Sequence, residues 1–246
     1  MPGAEPLSAA GSDVGVLVCH GFTGNPSTMR PLADALVGAG FSVEMPRLPG
    51  HGTTIEDMMT TTWADWSGAA EAAYTDLAGR CRSVVVAGLS MGGTLTTWLA
   101  GRHTEIAGIV CINPAVSTRE PEVKEMVTLM LAAGETVSPG IGSDIADPDA
   151  KESAYEGTPL ACVLSLFEAL DELQPLLPAI TCPVLLLTST DDHVVEPASS
   201  DHLAASVSGP LERVTLKRSY HVATLDYDKD LIAERAIAFV HKVTAG

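Results

Sequence analysis

The chain has 246 residues, 46% of them hydrophobic, and its formal net charge at pH 7 is −17. This length and apolar content suit one folded α/β domain with a sizeable core and exclude a disordered chain. The acidic balance argues against nucleic acid as a partner, since phosphate binding needs a basic face, and against adhesion to an anionic membrane.

Targeting and cofactor signals are also missing from the sequence. Its apolar runs are far shorter than the ~20 residues of a membrane span. Residues 1–10 have neither a basic region nor an apolar core, so we expect no signal peptide and a cytoplasmic location. Five cysteines without C-x-x-C spacing predict reduced thiols, and seven scattered histidines predict no metal site. We expect no metal or organic cofactor.

The first half of the chain alternates between apolar runs and amphipathic segments. Strands are predicted at Val14–Cys19, 41–45, from residue 83 into the glycine at 88, and 106–112. Helices are predicted from about 28 to 38, from 62 to about 79, and from 94 to 102. This order implies a parallel sheet with helices on both faces, the α/β class.

The alternation stops between residues 115 and 180. That segment contains twelve acidic and three basic residues, two apolar stretches at helical spacing, and a loop-rich part at 134–159. We interpret it as a small cap, residues 115–180, inserted into a core formed by residues 1–114 and 181–246. Strands at 183–187 and 213–216 and helices at 197–206 and 231–243 then complete the core. The two cap helices could also form a dimer contact, so monomer and homodimer both stay open.

The strongest local signal is the stretch Gly88-Leu-Ser-Met-Gly92. A β-branched apolar run precedes it and a helix-forming segment follows it, which is the context of a Gly-x-Ser-x-Gly nucleophile elbow. The two glycines lack the Cβ atoms that would clash in so sharp a turn. Ser90 is therefore the candidate nucleophile.

A nucleophile elbow is followed along the chain by an acid and then a base. Asp191 and Asp192 follow the strand at 183–187, and His221 is the only histidine between the last strand and the last helix. His221 is the candidate base, and the residues alone do not separate the two aspartates. The oxyanion donors should be the backbone N–H of Met91 and that of Phe22 in the glycine-rich loop after the first strand.

Five motifs together carry a family resemblance. Two are glycine-rich loops, His20-Gly-Phe-Thr-Gly24 and Pro46-Arg-Leu-Pro-Gly-His-Gly52. The other three contain the candidate Ser, Asp and His in that order: Gly88-Leu-Ser-Met-Gly92, Asp192-His-Val-Val195 and Ser219-Tyr-His-Val-Ala-Thr-Leu225. Together they resemble the bacterial monoacylglycerol lipase and carboxylesterase group of the α/β-hydrolase superfamily. The stretches 141–144 and 151–159 are similar to the cap of the monoacylglycerol lipases.

The resemblance implies an α/β-hydrolase fold, a mostly parallel, doubly wound sheet with a small inserted cap. It favours Asp192 over Asp191 as the acid, and Phe22 and Met91 as the oxyanion donors. It also implies that Glu152, with Ile141 nearby, lines a polar pocket for glycerol.

The expected function is hydrolysis of neutral carboxylic esters, with monoacylglycerols as the leading substrate class and an acyl-enzyme as the intermediate. Small neutral ester or lipid substrates are the expected partners. The alternatives are a broad short-chain carboxylesterase, a peptidase of the same fold, and a ligand-binding protein that kept the fold without turnover.

Overall fold

The computed structural model describes residues 1–140 and 142–245. The strands within those ranges are β1 (Leu7–Ala9), β2 (Val14–Cys19), β3 (Ser42–Met45), β4 (Ser83–Leu89), β5 (Gly108–Ile112), β6 (Val137–Pro139), β7 (Gly157–Pro159), β8 (Val184–Ser189) and β9 (Leu211–Leu216). The helices are α1 (Arg30–Gly38), α2 (Ile55–Met58), α3 (Trp63–Arg80), α4 (Met91–Ala100), α5 (Pro121–Ala132), α6 (Leu160–Leu173), α7 (Pro197–Ser206) and α8 (Lys229–Thr244). Short 3₁₀ helices lie at Pro26–Thr28 and Gln174–Ala179.

Seven strands form one sheet in the order β1-β3-β2-β4-β5-β8-β9. Only β1 pairs in the antiparallel sense, and every other neighbour in this sheet is parallel. The predicted α/β class with a mostly parallel sheet is therefore confirmed. β2 has β3 on one side and β4 on the other, so the strand order reverses there and a crevice opens at the carboxyl ends of β2 and β4.

The central strands β2, β4, β5 and β8 are mostly apolar and almost wholly buried, as expected of a parallel sheet with helices on both faces. Alternate residues of β4, such as Val85 and Val86, point into two separate hydrophobic clusters. One cluster includes side chains of α3, α4 and α6, and the other includes side chains of α1 and α8. The loops at the carboxyl edge are thus supported by a sheet that is packed on both sides.

Some predicted bounds were wrong for identifiable reasons. The helix expected at 94–102 begins at Met91, directly after Ser90. Its start was predicted too late because Gly92 and Gly93 lower the helix propensity of its first turn. The strand expected at 106–112 begins at Gly108. The three-residue edge strand β1 and the one-turn helix α2 are too short for their periodicity to stand out.

The segment 115–180 contains two helices and a small hairpin. We expected helices and loops there, but β6 and β7 pair antiparallel and bury Thr158 and Pro159. The inner face of α6 packs into the core, whereas α5 leaves Met126 and Leu129 exposed by 55% and 62%. No helix within residues 1–140 and 142–245 combines the length and hydropathy needed to cross a bilayer.

Two close backbone contacts fix the junction between β4 and α4. A Cβ on Gly88 would lie 2.0 Å from the carbonyl oxygen of Gly92, and one on Gly92 would lie 2.1 Å from that of Cys19. Both distances are far inside van der Waals contact with backbone atoms, which have little freedom to move. Only glycine allows α4 to pack this closely against β2 and β4.

We therefore predict opposite effects for two Gly→Ala substitutions. Gly88→Ala should lower the free energy of unfolding by about 3 kcal/mol or more, because the added methyl group overlaps backbone. Gly68→Ala is the matched control. It lies on the exposed face of α3 with nothing within 4 Å of the added Cβ, and it should stabilise the protein by about 0.5–1 kcal/mol. Urea unfolding measures both, and a Gly88→Ala protein as stable as the parent would contradict this account of the junction.

Candidate active site

Ser90 lies in the turn between β4 and α4 with a backbone φ of 57° and ψ of −119°. This conformation is rare for a residue with a side chain and costs about 1–3 kcal/mol. Backbone hydrogen bonds hold it: the N–H of Ser90 donates to Ile112 O at 3.1 Å, and its carbonyl accepts from Gly93 N at 2.8 Å. The Ser90 side chain lies beside the loop after β2, since a Cβ on Gly21 would be 3.4 Å from Ser90 Cβ and 3.9 Å from Ser90 Oγ.

His221 and Asp192 form a buried pair. His221 Nδ1 lies 2.8 Å from Asp192 Oδ2, and the two side chains are only 7% and 1% exposed. The other carboxylate oxygen, Oδ1, accepts the backbone N–H groups of Val194 at 2.9 Å and Val195 at 2.8 Å. Asp191, in contrast, is exposed at the surface. Of the two aspartates left open by chemistry, Asp192 is therefore the one beside the imidazole.

Asn113, which follows β5, ties the loop that carries His221 to the sheet. Its φ of 42° is positive, a conformation that asparagine tolerates better than most residues. Asn113 Nδ2 donates to His221 O at 2.8 Å, and its Oδ1 accepts from Ser189 N at 2.7 Å. Asn113 was not among the predicted site residues. A lone asparagine at the end of a buried strand is a weak signal, because its partners are 76 and 108 residues away.

The two predicted oxyanion donors flank Ser90. Met91 is the first residue of α4, so its N–H has no partner within the helix. Phe22 lies in the loop after β2, and its ring packs against Trp66 with 5.6 Å between ring centroids. The next residue, Thr23, has a positive φ of 61° that bends this loop sharply. The donor roles of Phe22 and Met91 stay predictions.

Two buried histidines support that loop. His20 Nδ1 lies 3.0 Å from Gly21 O, and its Nε2 accepts the N–H of Leu48 at 3.1 Å. Burial, with His51 nearby, lowers the pKa of His20 to about 3, and burial lowers that of His51 to about 4. Both rings are therefore neutral near pH 7. His20 acts within the fold as a local hydrogen-bonding residue, the role expected of a histidine in a glycine-rich loop.

Two unlike cavities meet at Ser90. The larger has a volume of about 450 Å³ and is mostly apolar, with Met91, Val127, Leu166 and Phe167 among its lining residues. The smaller, of about 50 Å³, is lined by Ser90 together with polar side chains that include Glu152, Asp144 and His221. Phe22 borders both cavities.

Glu152 lies against the loop after β2. A Cβ on Gly24 would be 3.0 Å from Glu152 Oε1, so this glycine leaves room for the carboxylate. Burial raises the pKa of Glu152 to about 7; nearby His221 lowers it, and Asp144 raises it further. Ile141, the second residue expected at the polar pocket, lies outside the described residues.

Contacts that the sequence did not predict hold the Glu152 stretch in place. Asn25 Nδ2 donates to Ser153 O. The hydroxyl of Tyr155 donates to Gly50 O at 2.7 Å, and the N–H of Tyr155 donates to Thr23 O at 3.3 Å.

In residues 1–140 and 142–245, no group of three or more His, Cys, Asp or Glu side chains could hold a metal ion.

Comparison with known proteins agrees with the class that the sheet order and the strand–serine–helix junction define, the α/β-hydrolases. The family profile described as serine aminopeptidase, S33 (Hydrolase_4), matches residues 12–228. The chain is 46% identical to a thermostable monoacylglycerol lipase of Bacillus sp. (strain H-257) over 245 residues, 98% of this chain and 96% of that protein. It is 27% identical to a carboxylesterase of Bacillus subtilis (strain 168) over 241 residues, 97% of each.

A solved structure from work on LipS and LipT, two metagenome-derived lipolytic enzymes, has a TM-score of 0.94 and 44% identity over 98% of this chain and 99% of that one. The chain therefore belongs to the Hydrolase_4 family of α/β-hydrolases. The predicted fold and the predicted likeness to the monoacylglycerol lipase and carboxylesterase group are confirmed, and these relatives support ester hydrolysis as the reaction.

The buried pair gives a prediction that separates the two aspartates. Asp192→Asn should lower kcat/KM for an ester by about 10³–10⁴-fold, because the amide cannot stabilise the imidazolium that forms on His221. Asp191→Asn removes the same charge from the neighbouring exposed position and should stay within about twofold of the parent. Steady-state hydrolysis of a p-nitrophenyl ester measures both variants. Equal losses in the two would remove the distinction between them.

Proposed function

We propose that this protein hydrolyses monoacylglycerols to fatty acid and glycerol, with Ser90, His221 and Asp192 as its catalytic residues. The observation that carries the proposal is the meeting of a large apolar cavity and a small polar cavity at one serine. A monoacylglycerol has the same division, with a long hydrocarbon chain on one side of its ester and a diol on the other. The 46% identity to a thermostable monoacylglycerol lipase supports the same substrate.

The acyl chain would occupy the larger cavity. Its volume lies within the range of about 300–1,000 Å³ that is typical of small-molecule sites. Methionine, leucine and phenylalanine side chains make up much of its wall, and methionine adapts readily to a flexible chain. Most of this lining comes from residues 115–180, which we propose act as a cap over the core.

The glycerol would occupy the smaller cavity, where Glu152 would recognise it by accepting hydrogen bonds. A carboxylate has two acceptor oxygens and can accept hydrogen bonds from two hydroxyl groups of the diol. Burial raises the pKa of Glu152, and two hydroxyl donors would restore the hydrogen bonds that burial removes. An ethyl or methyl ester offers no such donors.

In the proposed mechanism, Ser90 Oγ attacks the ester carbonyl carbon as His221 takes its proton, and Asp192 stabilises the resulting imidazolium. The N–H groups of Phe22 and Met91 hold the oxyanion. The tetrahedral intermediate then releases glycerol, which receives the proton from His221, and leaves an acyl-enzyme. Water then attacks the acyl carbonyl carbon while His221 takes a proton from it. The bond between the acyl carbon and Ser90 Oγ breaks, Ser90 Oγ receives the proton from His221, and the fatty acid departs.

A broad carboxylesterase is the nearest alternative and would share every core residue. Aminopeptidase activity, which the family description names, needs a site for a free substrate amine. Assays on an aminoacyl anilide and a short p-nitrophenyl ester therefore accompany the test.

The cytoplasmic location and the choice between monomer and homodimer stay predictions from the sequence.

The proposed function is tested by comparing 1-monolauroylglycerol, ethyl laurate and a short p-nitrophenyl ester on the parent and on Glu152→Ala. We expect the parent to prefer the glycerol ester. The variant should lose about tenfold to a hundredfold in kcat/KM on that substrate alone, because the diol loses a charged hydrogen-bond partner. Glu156→Ala, at an exposed acidic residue of the same stretch, is the control. Equal activity on both laurate esters, unchanged in Glu152→Ala, would contradict the proposal and indicate a general carboxylesterase. Turnover of the anilide alone would contradict it and indicate a peptidase.

The raised pKa of Glu152, about 7, predicts how this preference varies with pH. Glu152 is protonated below its pKa and ionised above it, so its capacity to accept two hydroxyl donors grows as pH rises. The ratio of kcat/KM for monolauroylglycerol to that for ethyl laurate should increase by about tenfold between about pH 6 and pH 8. Any pH dependence that the two laurate esters share cancels in the ratio. Glu152→Gln should make the ratio independent of pH, and a flat ratio in the parent would contradict this role.

A further inference from the structure

Asp144 accepts hydrogen bonds from the two loops that carry His221 and Asp192. Its Oδ2 accepts the backbone N–H of His221 at 3.0 Å and that of His193 at 3.1 Å. Its Oδ1 lies 2.8 Å from His193 Nδ1, and its carbonyl oxygen accepts the N–H of Val222 at 3.0 Å. Asp144 belongs to the inserted segment, and its side chain is only 14% exposed.

Asp226 makes the reciprocal connection. This carboxylate is fully buried and follows the His221 loop in the chain. It accepts the N–H groups of Ala146 at 2.7 Å and Asp147 at 3.1 Å from the inserted segment. It also accepts the N–H of Tyr220 at 2.9 Å within the His221 loop. We call Asp144, Asp226 and these backbone donors the clasp.

The clasp completes the restraint on His221. The carbonyl of His221 is held from the sheet by Asn113, and its ring is held by Asp192. Its N–H is held by Asp144, which comes from the inserted segment. Loss of that third contact would free the loop to shift, and a displacement of about 1 Å at a catalytic group can lower a rate by about a hundredfold.

We propose that Asp144 is a positioning residue, which orients His221 against Asp192 and makes residues 144–147 of the cap a fixed part of the catalytic centre. The proposal rests on the assignment of His221 as the base. The exposed imidazole of His193 adds little by itself, since exposed ion pairs contribute at most about 1 kcal/mol. The two backbone N–H groups that share Oδ2 carry the effect.

The acceptor role predicts different results for two substitutions of Asp144. Asp144→Ala leaves both N–H groups without their acceptor and should lower kcat by about tenfold to a hundredfold, with KM within about threefold. Asp144→Asn keeps one side-chain oxygen that can accept both N–H groups. It should therefore retain at least about a third of the parent kcat. Asp149→Ala removes the same charge from an exposed position in this segment and is the control.

A spectroscopic measurement tests the geometry without relying on turnover. The proton between His221 Nδ1 and Asp192 Oδ2 should give a low-field NMR resonance that exchanges slowly, because both side chains are buried, and that is absent from His221→Ala. In Asp144→Ala this proton should exchange at least about tenfold faster or broaden beyond detection. It should persist in Asp144→Asn and Asp149→Ala. If Asp144→Ala does not fold, Asp144→Ser, whose side chain is too short to reach both N–H groups, replaces it with the same expectation.

Three results would overturn the proposal: an unchanged resonance in Asp144→Ala, a kcat in that variant within about twofold of the parent, or Asp144→Asn as impaired as Asp144→Ala. The failure of the proposed function is distinguishable from these. It would appear as full activity in His221→Ala or as a missing preference for the glycerol ester, neither of which depends on the clasp.

Discussion

The backbone of Ser90 has a φ of 57°, and contacts with the surrounding fold hold it in this conformation. β4 ends and α4 begins on either side of this one residue, so the chain reverses direction with no intervening loop. The turn closes only because glycines at 88 and 92 allow backbone atoms of α4, β4 and β2 into contact. Burial of the sheet on both faces provides the packing energy that outweighs about 1–3 kcal/mol of local strain. The turn places Ser90 directly before the first residue of α4. At this end of a helix, unpaired N–H groups favour developing negative charge.

The other groups of the site lie on loops, so side-chain hydrogen bonds fix them where regular secondary structure does not. Asn113 reaches from β5 to the carbonyl of His221, and His20 holds the turn before Phe22. Asp144 and Asp226 connect the His221 loop to the segment 115–180. The same segment supplies Glu152 and most of the apolar cavity wall. In the function that we propose, substrate selection and the orientation of the base therefore both depend on this segment.

The sequence was most informative where a feature is local. The strand Val14–Cys19 and the helix Pro197–Ser206 have the predicted bounds, since apolar runs, proline and helix formers act over a few residues. The elbow at Ser90 was also predictable, because its glycines, the strand before it and the helix after it are contiguous in the sequence.

Long-range polar contacts were not predictable in this way. Asp144 lies 77 residues from His221, and Asn113 lies 108 residues from it. In the sequence, Asp144 is one of twelve acids in a highly acidic segment, and nothing local separates it from exposed neighbours such as Asp149. The choice between Asp191 and Asp192 needed either the family resemblance or the geometry, for the same reason.

In the function that we propose, one serine joins an acyl cavity to a glycerol pocket. The most direct measurement is a crystal structure of the protein after reaction with a phosphonate that carries a dodecyl chain, a glycerol group that is retained, and p-nitrophenolate as the group that Ser90 displaces. We predict phosphorus bonded to Ser90 Oγ and the phosphoryl oxygen within hydrogen-bond distance of the N–H groups of Phe22 and Met91. The alkyl chain should lie in the apolar cavity, and the diol within hydrogen-bond distance of Glu152. Labelling at another residue, or an adduct with the diol directed away from Glu152, would contradict it.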